Sequence, residues 1–235
     1  MQDPEKIKAQ APISDKCEKC GLRPKHREQH WKGDEIKIRK WCNRCIERNR
    51  RPEFSEITIL NTVEYLYQDA RLQDLAGLGI VEQISSKPPE QDVYFYGPPG
   101  IGKTHAMAAF IRYYMNKKYS CKRINFDDFC CLVRSTMSSA SKQTEWDLVQ
   151  PLKDVDILFI DDLGLRSKQE TDFAYITLYS ILNKRQERML PTFLSSNKDL
   201  DRLRQAFDER IVSRLRTALQ IEMKGADRRR KEKKE

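Results

Sequence analysis

No apolar run in this chain approaches the roughly 18–20 residues that a bilayer-spanning helix needs. The first residues, Met-Gln-Asp-Pro-Glu-Lys, are polar and lack the apolar stretch of a secretory signal. These two absences exclude a membrane span and predict a cytoplasmic protein, where thiols stay reduced. The 7 cysteines therefore argue against a disulfide scaffold. There is no internal repeat, and no low-complexity segment apart from the Arg/Lys/Glu run at 226–235. Apolar residues make up only 39%, enough for a core but not a rich one, and 235 residues allow one full α/β domain plus a small module.

Charge is abundant and unevenly spread. The net balance is +9. Residues 1–52 hold 15 Lys/Arg against 8 Asp/Glu, and residues 224–235 hold 7 against 3, so the middle of the chain is slightly acidic. Basic ends point to a polyanionic partner, of which nucleic acid is the commonest. For 226–235 a solvated charged tail is an equal explanation.

Residues 97–104 read Gly97-Pro98-Pro99-Gly100-Ile101-Gly102-Lys103-Thr104, the phosphate-binding pattern G-x-x-x-x-G-K-[ST]. The apolar run 93–96 before it reads as a buried strand, and 105–115 after it reads as a helix. That strand–loop–helix context separates a working loop from a Gly/Pro turn with a stray Lys-Thr. The glycines turn backbone N–H groups toward one centre, and the helix N-terminus adds partial positive charge. Lys103 is expected to reach the β and γ phosphates and Thr104 to place its hydroxyl on Mg²⁺. His105, the first residue past the loop, completes the nucleotide-contacting set.

The run 155–160 is almost continuously apolar, as in a strand buried on both faces. It ends in Asp161-Asp162-Leu163-Gly164, at the carboxyl end where parallel sheets bind ligands. Asp161 is expected to hold the Mg²⁺ hydration shell and Asp162 to polarise the attacking water. A further apolar run, 191–197, ends in Asn197, a polar residue at a strand tip that can orient water beside the γ-phosphate. The same residues also resemble GTPase signatures: 161–164 fits D-x-x-G, and Asn197-Lys198-Asp199-Leu200 approaches the guanine-reading N-K-x-D. Leu200 stands where the last carboxylate belongs, so guanine's donors would have no partner, which argues against GTP.

Arg210 and Arg214 lie i, i+4 in a helical pattern at 208–215 and so share a face. They read either as a solvated basic face or as arginines that stabilise developing phosphoryl charge on a neighbouring subunit.

A second module precedes this domain. Cys17-Glu-Lys-Cys20 and Cys42-Asn-Arg-Cys45 are two C-x-x-C turns with 21 residues between them, the spacing of a Cys₄ zinc site. A closed thiolate shell makes the Zn²⁺ structural, and it supplies stability that about fifty residues cannot draw from a core. His26 and His30 are competing ligands. No thioredoxin-like context favours a redox role. Trp31 and Trp41, interleaved with basic residues, either stack bases or cover the zinc turns. Cys121, Cys130 and Cys131 read as small core residues. Pro52 is a natural boundary, giving modules 1–52 and 53–235, and 85–89 is a second candidate linker.

Taken together, these residues resemble an AAA+ ATPase of the bacterial replicative helicase-loader group, the DnaC/DnaI type, to which the transposition helper IstB is related. The resemblance runs over about 67–229 and includes the lead-in segment 69–75, the phosphate loop, 126–164, Ser195-Ser196-Asn197 as sensor 1, and Arg210 and Arg214 as the box VII arginines. Arg229 aligns with the sensor 2 arginine. The resemblance implies an α/β P-loop core with a five-stranded parallel sheet flanked by helices. The few residues past Met223, read as the last residue of a fifth strand, imply no helical lid domain. The length of 127–152 allows the extra helix that helps initiator-type relatives form a spiral. Two departures stand out: Asp161-Asp162 replaces the common Asp-Glu, and Arg228 replaces a frequent Tyr. The N-terminal zinc spacing is similar to the zinc-bearing helicase-binding domain of the DnaI branch.

The implied function is an ATP-dependent loader of the replicative DNA helicase. It would bind ATP and Mg²⁺, hydrolyse ATP slowly, assemble into a ring or spiral through arginine fingers and contact single-stranded DNA, with Arg134, Lys142 and Arg166 as candidates along that path. Residues 1–52 would dock on the helicase. A transposition helper ATPase, or a zinc-dependent nucleic-acid-binding module with a nucleotide switch, are the competing readings.

Overall fold

The computed structural model describes residues 27–29, 36–38, 42–85, 91–138, 141–142, 144–164, 172–205, 207 and 209–229. By contacts the chain divides into two compact units, Met1–Arg51 and Pro52–Glu235. In the first, strand β1 (Arg27–Gln29) pairs antiparallel with β2 (Ile36–Ile38), setting Glu28 opposite Lys37. Helix α1 (Asn43–Arg50) follows, with Cys42 at its N-cap and Cys45 in its first turn, both buried. Cys17, Cys20, His26, His30, Trp31 and Trp41 lie outside the described residues.

The second unit carries the expected five-stranded parallel sheet. Its strands are β3 (Val93–Tyr96), β4 (Cys121–Asn125), β5 (Ile157–Asp161), β6 (Thr192–Ser196) and β7 (Leu219–Glu222). The spatial order is β4-β5-β6-β3-β7, every neighbouring pair parallel. β5 and β6 are buried along their whole length, which is why their sequences show no polar alternation. Parallel neighbours require crossovers, and these are helices: α4 (Lys103–Asn116) after β3, α5 (Phe126–Thr136) and α6 (Glu145–Asp154) after β4, α7 (Asp172–Glu187) after β5, and α8 (Leu200–Arg204) and α9 (Glu209–Arg216) after β6. Helices α2 (Glu56–Thr62) and α3 (Ile80–Ser85), with 3₁₀ turns between them, precede β3. Side-chain oxygens cap several helix starts: Asn125 accepts from the Asp127 amide, and Thr144 and Asp147 form a reciprocal capping box.

Alternation along the strands sorts the core into two layers. Val93, Phe95, Ile157, Phe159 and Phe193 face α4, with Ile59 of α2 and Ile84 of α3. Tyr94, Leu158, Ile160 and Leu194 face α5 to α9. Phe159 and Phe193 stack across β5 and β6 with ring centroids 4.7 Å apart. Burial of each such ring is worth about 1.5–3 kcal/mol.

At the amino ends of the strands Arg185 of α7 is fully buried. It donates to the carbonyls of Leu152 and Val155, at 2.8 Å each, and of Pro191 at 2.7 Å, and to Thr192 Oγ1 at 3.0 Å. One cation thus satisfies the carbonyls of several chain segments entering the sheet. Asp92 beside it accepts from the Thr192 amide at 2.7 Å. Burial pushes the Asp92 carboxyl up to about 6 against the pull of that bond and of Arg185.

Three expectations need correction. Of the three scattered cysteines only Cys130 is core; Cys121 is half-buried and Cys131 is exposed. Residues 130 and 131 are a hundred degrees apart on α5, so only one can face the sheet. Helix α4 starts at Lys103, two residues before the sequence pattern shows it, because the loop itself supplies its first turn. The last strand ends at Glu222, and Met223 follows it. Among the described residues no helix is long and apolar enough to cross a membrane.

Candidate functional site

The carboxyl ends of β3, β5 and β6 open into one cavity of about 690 Å³. The 97–104 loop closes one side of it. Gly97 has φ 149°, and a Cβ there would lie 2.3 Å from the Met223 carbonyl oxygen, because the chain leaving β7 passes directly over the loop. Gly100 has φ 79°, and a Cβ there would lie 1.8 Å from Asp227 Oδ1. Neither position tolerates a side chain. The same C-terminal segment is tied down by the Arg228 amide, which donates to the Gly100 carbonyl at 2.9 Å. This brings Arg228 and Arg229 to the cavity wall.

Lys103, at the start of α4, turns back into its own loop. Its Nζ donates to the carbonyls of Gly97 at 2.7 Å and Pro98 at 2.8 Å, and to Asn197 Oδ1 at 2.7 Å. Burial draws the ammonium below the usual lysine range, and the charges of Asp162 and Asp161 oppose that shift. Asn197 in turn donates from Nδ2 to Asp162 Oδ1 at 3.1 Å. Asp162 adopts a left-handed backbone, φ 55°, and its amide donates to Ser195 Oγ at 2.9 Å. Burial and the neighbouring Asp161 charge raise the Asp162 carboxyl above the usual carboxylate range, against the opposing pull of Lys103. Asp161 is buried; Ser195 Oγ donates to its Oδ1 and Arg123 to its Oδ2. Thr104 is half-buried on the same wall.

His105 Nε2 lies 2.9 Å from Asp74 Oδ2, linking the first turn of α4 to the 3₁₀ turn Leu72–Leu78. The Arg71 amide also binds Asp74, and these two contacts hold its carboxyl below the usual range.

Most of the residues singled out in the sequence meet here. Pro99, Gly100, Gly102, Lys103, Thr104, His105, Asp161, Asp162, Asn197 and Arg229 all line the cavity. Gly97 and Pro98 present carbonyls to Lys103, and Ile101 is buried beneath the loop. Arg210 and Arg214 stand on α9, outside the cavity wall. Both guanidinium groups lie over the Tyr179 ring, at 5.0 and 4.8 Å. Arg214 also donates to Gln186 Oε1 at 2.7 Å, Tyr179 Oη at 3.0 Å and Asn183 Oδ1, all on α7. The structure adds Arg123, Glu64 and Arg228, which sequence reasoning assigned no role in the site. For Arg123 a signal was available: it shares a strand face with Asn125 and sits two residues before it on the strand beside β5.

The donor set fits a nucleoside triphosphate with Mg²⁺. Lys103, Arg228 and Arg229 offer positive charge around a loop whose glycine conformations open its backbone to phosphate. Thr104, Asp161 and Asp162 offer the hard oxygens that Mg²⁺ takes. Among the described residues there is no cluster of three or more His, Cys, Asp or Glu that could hold a metal; Cys17 and Cys20 fall outside that statement.

Comparison with known proteins agrees with the fold. Residues 73–222 match the profile of the bacterial DnaA ATPase domain. The replicative helicase loader DnaC of Buchnera aphidicola subsp. Acyrthosiphon pisum is 29% identical over 122 residues, 52% of this chain and 49% of that protein. The replicative helicase loader DnaI of Bacillus subtilis is 31% identical over 115 residues, 49% of this chain and 36% of that protein. The chain thus spans about half the length, or less, of these curated relatives. The structure of AMPPCP-bound DnaA from Aquifex aeolicus superposes with a TM-score of 0.59 and 21% identity, covering 71% of this chain and 54% of that one. The chain belongs to the bacterial DnaA ATPase domain family, as an AAA+ protein that resembles the replicative helicase loaders.

Proposed function

We propose that this protein is an ATP-dependent loader of the replicative DNA helicase, acting in the cytoplasm. The observation that carries the reading is the linked set Lys103–Asn197–Asp162, which joins the phosphate loop, the tip of β6 and the tip of β5 at one point. Similarity to proteins named DnaC and DnaI supports the choice of helicase as partner.

Phosphate is a better partner for Lys103 than two neutral carbonyls, so nucleotide binding draws its ammonium out of the loop. Thr104 and Asp161 hold Mg²⁺, which supplies charge neutralisation at the phosphates. Asp162 accepts the proton of the attacking water and Asn197 orients that water. Aspartate is one methylene shorter than the glutamate common at this position, so hydrolysis is slow. Arg229 contacts phosphate within the same chain, and Arg210 and Arg214 complete the site of a neighbouring copy in a ring or spiral. The AAA+ module 53–235 also contacts single-stranded DNA. Residues 1–52 dock on the helicase and hold one Zn²⁺ through Cys17, Cys20, Cys42 and Cys45. The burial of Cys42, at the N-cap of α1, and of Cys45, in its first turn, supports this ligand set.

Capture of the replicative helicase by the full chain, with and without ATP–Mg²⁺, tests the proposal. Helicase should be retained, and ATP should promote its transfer onto single-stranded DNA. Retention of a transposase in its place, or DNA affinity carried wholly by residues 1–52, would overturn it.

A further inference from the structure

Both oxygens of Asp161 have partners within the chain. Oδ1 accepts from Ser195 Oγ, and Oδ2 is paired with the guanidinium of Arg123, whose side chain is 8% exposed against 3% for Asp161. Arg123 projects from β4 and also pairs, through Nη1, with Glu64. Glu64 precedes the 3₁₀ turn Tyr65–Tyr67 at its N-cap position, and Glu64, Leu66 and Tyr67 line the same cavity as the phosphate loop. One guanidinium therefore bridges the carboxylate proposed for Mg²⁺ and a second carboxylate lining the cavity. Its Nε is buried without a hydrogen-bond partner, so the resting arrangement leaves the group incompletely satisfied.

A buried carboxylate needs a counter-charge. The proposed counter-charge of Asp161 is Mg²⁺, yet a cation of the chain is already paired with it. Two cations cannot both neutralise one carboxylate at full strength. We propose that Arg123 is a positioning residue that holds Asp161 in the metal-free state, competes with Mg²⁺ for it, and passes the exchange to the cavity wall through Glu64. When Asp161 turns to the metal, Arg123 is left with Glu64 alone, which draws the 64–67 segment and the strand tips into a different balance of charge. This rests on the nucleotide–Mg²⁺ reading of the site.

The test is a Mg²⁺ titration of the full chain with a fluorescent non-hydrolysable ATP analogue, alongside thermal melts in EDTA and in Mg²⁺. Arg123→Met keeps the length and removes the charge. Its half-saturating Mg²⁺ should fall about tenfold, the size of effect of removing one close charge competitor. Its melting temperature should drop in EDTA and recover in Mg²⁺, since Asp161 has then lost the cation paired directly with it. Arg123→Lys should behave like the parent protein. Glu64→Gln changes an exposed side chain and frees Arg123 for Asp161, so its half-saturating Mg²⁺ should rise. Opposite signs for the two variants are the signature that a merely structural role does not produce. If the parent protein binds the analogue and both variants keep its Mg²⁺ midpoint, the role of Arg123 is refuted while the nucleotide site stands. If the parent protein binds no analogue at any Mg²⁺ concentration, the nucleotide reading itself fails and this inference with it.

Discussion

Lys103 Nζ donates to Asn197 Oδ1 at 2.7 Å, across 94 positions of sequence. Because Asn197 also donates to Asp162, one amide side chain holds a cation on one side and a carboxylate on the other. The phosphate loop, the tip of β6 and the tip of β5 are thereby joined through three side chains.

Lys103→Ala should abolish the rise in melting temperature caused by ATP–Mg²⁺. The ammonium is the loop's own cation, and no other side chain of the loop replaces it. Calorimetric ATP binding at parental strength would refute the assignment of the loop.

Asn197→Ala should separate binding from turnover. ATP affinity should change by less than about threefold, because phosphate contacts come from the loop. Single-turnover hydrolysis should fall about 10²-fold, the usual loss on removing one positioned polar group. Equal losses in affinity and turnover would show instead that Asn197 only braces Lys103.

Arg214→Ala should lower the melting temperature by about 2–4 °C, since it removes half-buried hydrogen bonds and a cation–ring contact worth about 1 kcal/mol in all. Affinity for ATP should be unchanged in the monomer. ATP-dependent assembly, followed by light scattering, should be lost. A variant that assembles normally would confine Arg214 to bracing α9 against α7.

Stability should depend on pH through Asp92, whose folded pKa of about 6 lies above the ordinary 3.8. A carboxyl with a raised folded pKa contributes stability that is full below about pH 4 and lost as pH rises through about 6. At pH 8 the cost of the buried charge is on the order of 2–3 kcal/mol. Asp92→Asn keeps an acceptor for the Thr192 amide and carries no charge. Urea unfolding should show it more stable than the parent at pH 8, with the gap closing toward pH 4. A gap that widens on acidification would mean that the charge of Asp92 serves Arg185.

Purified protein should contain one zinc per chain by elemental analysis, and Cys42→Ser should lose most of it. Full retention by that variant would show a different ligand set, and a native chain without zinc would remove the metal from the N-terminal module.

Much of the second unit was legible in the chain. The loop 97–104 announced itself by glycines at fixed spacings, β5 by the continuous apolar run that burial on both faces favours, and β6 by Phe193 and Leu194 at its centre. Asp161, Asp162 and Asn197 were legible as polar residues closing apolar runs. Arg123 was overlooked because a strand at the sheet edge tolerates charge, so a lone arginine there carries no signature of the carboxylate it meets. Lys103 was expected to point toward ligand, yet its conformation here depends on carbonyls and an amide that only the folded loop and β6 supply.

The sequence by itself determined the glycine-rich 97–104 loop and the buried strands on either side of it, because spacing and hydrophobic pattern are local properties. Only the tertiary structure decided which charges meet. It paired Arg123 with Asp161 and Glu64, laid the 223–229 segment over Gly97 and Gly100, and set Arg210 and Arg214 against Tyr179 of α7 and off the cavity wall. Those pairings join residues far apart in sequence, brought together by a strand order in which neighbours in space are not neighbours in the chain. Coulombic and hydrogen-bond energies act over a few ångströms, so they follow from that order and not from spacing along the chain.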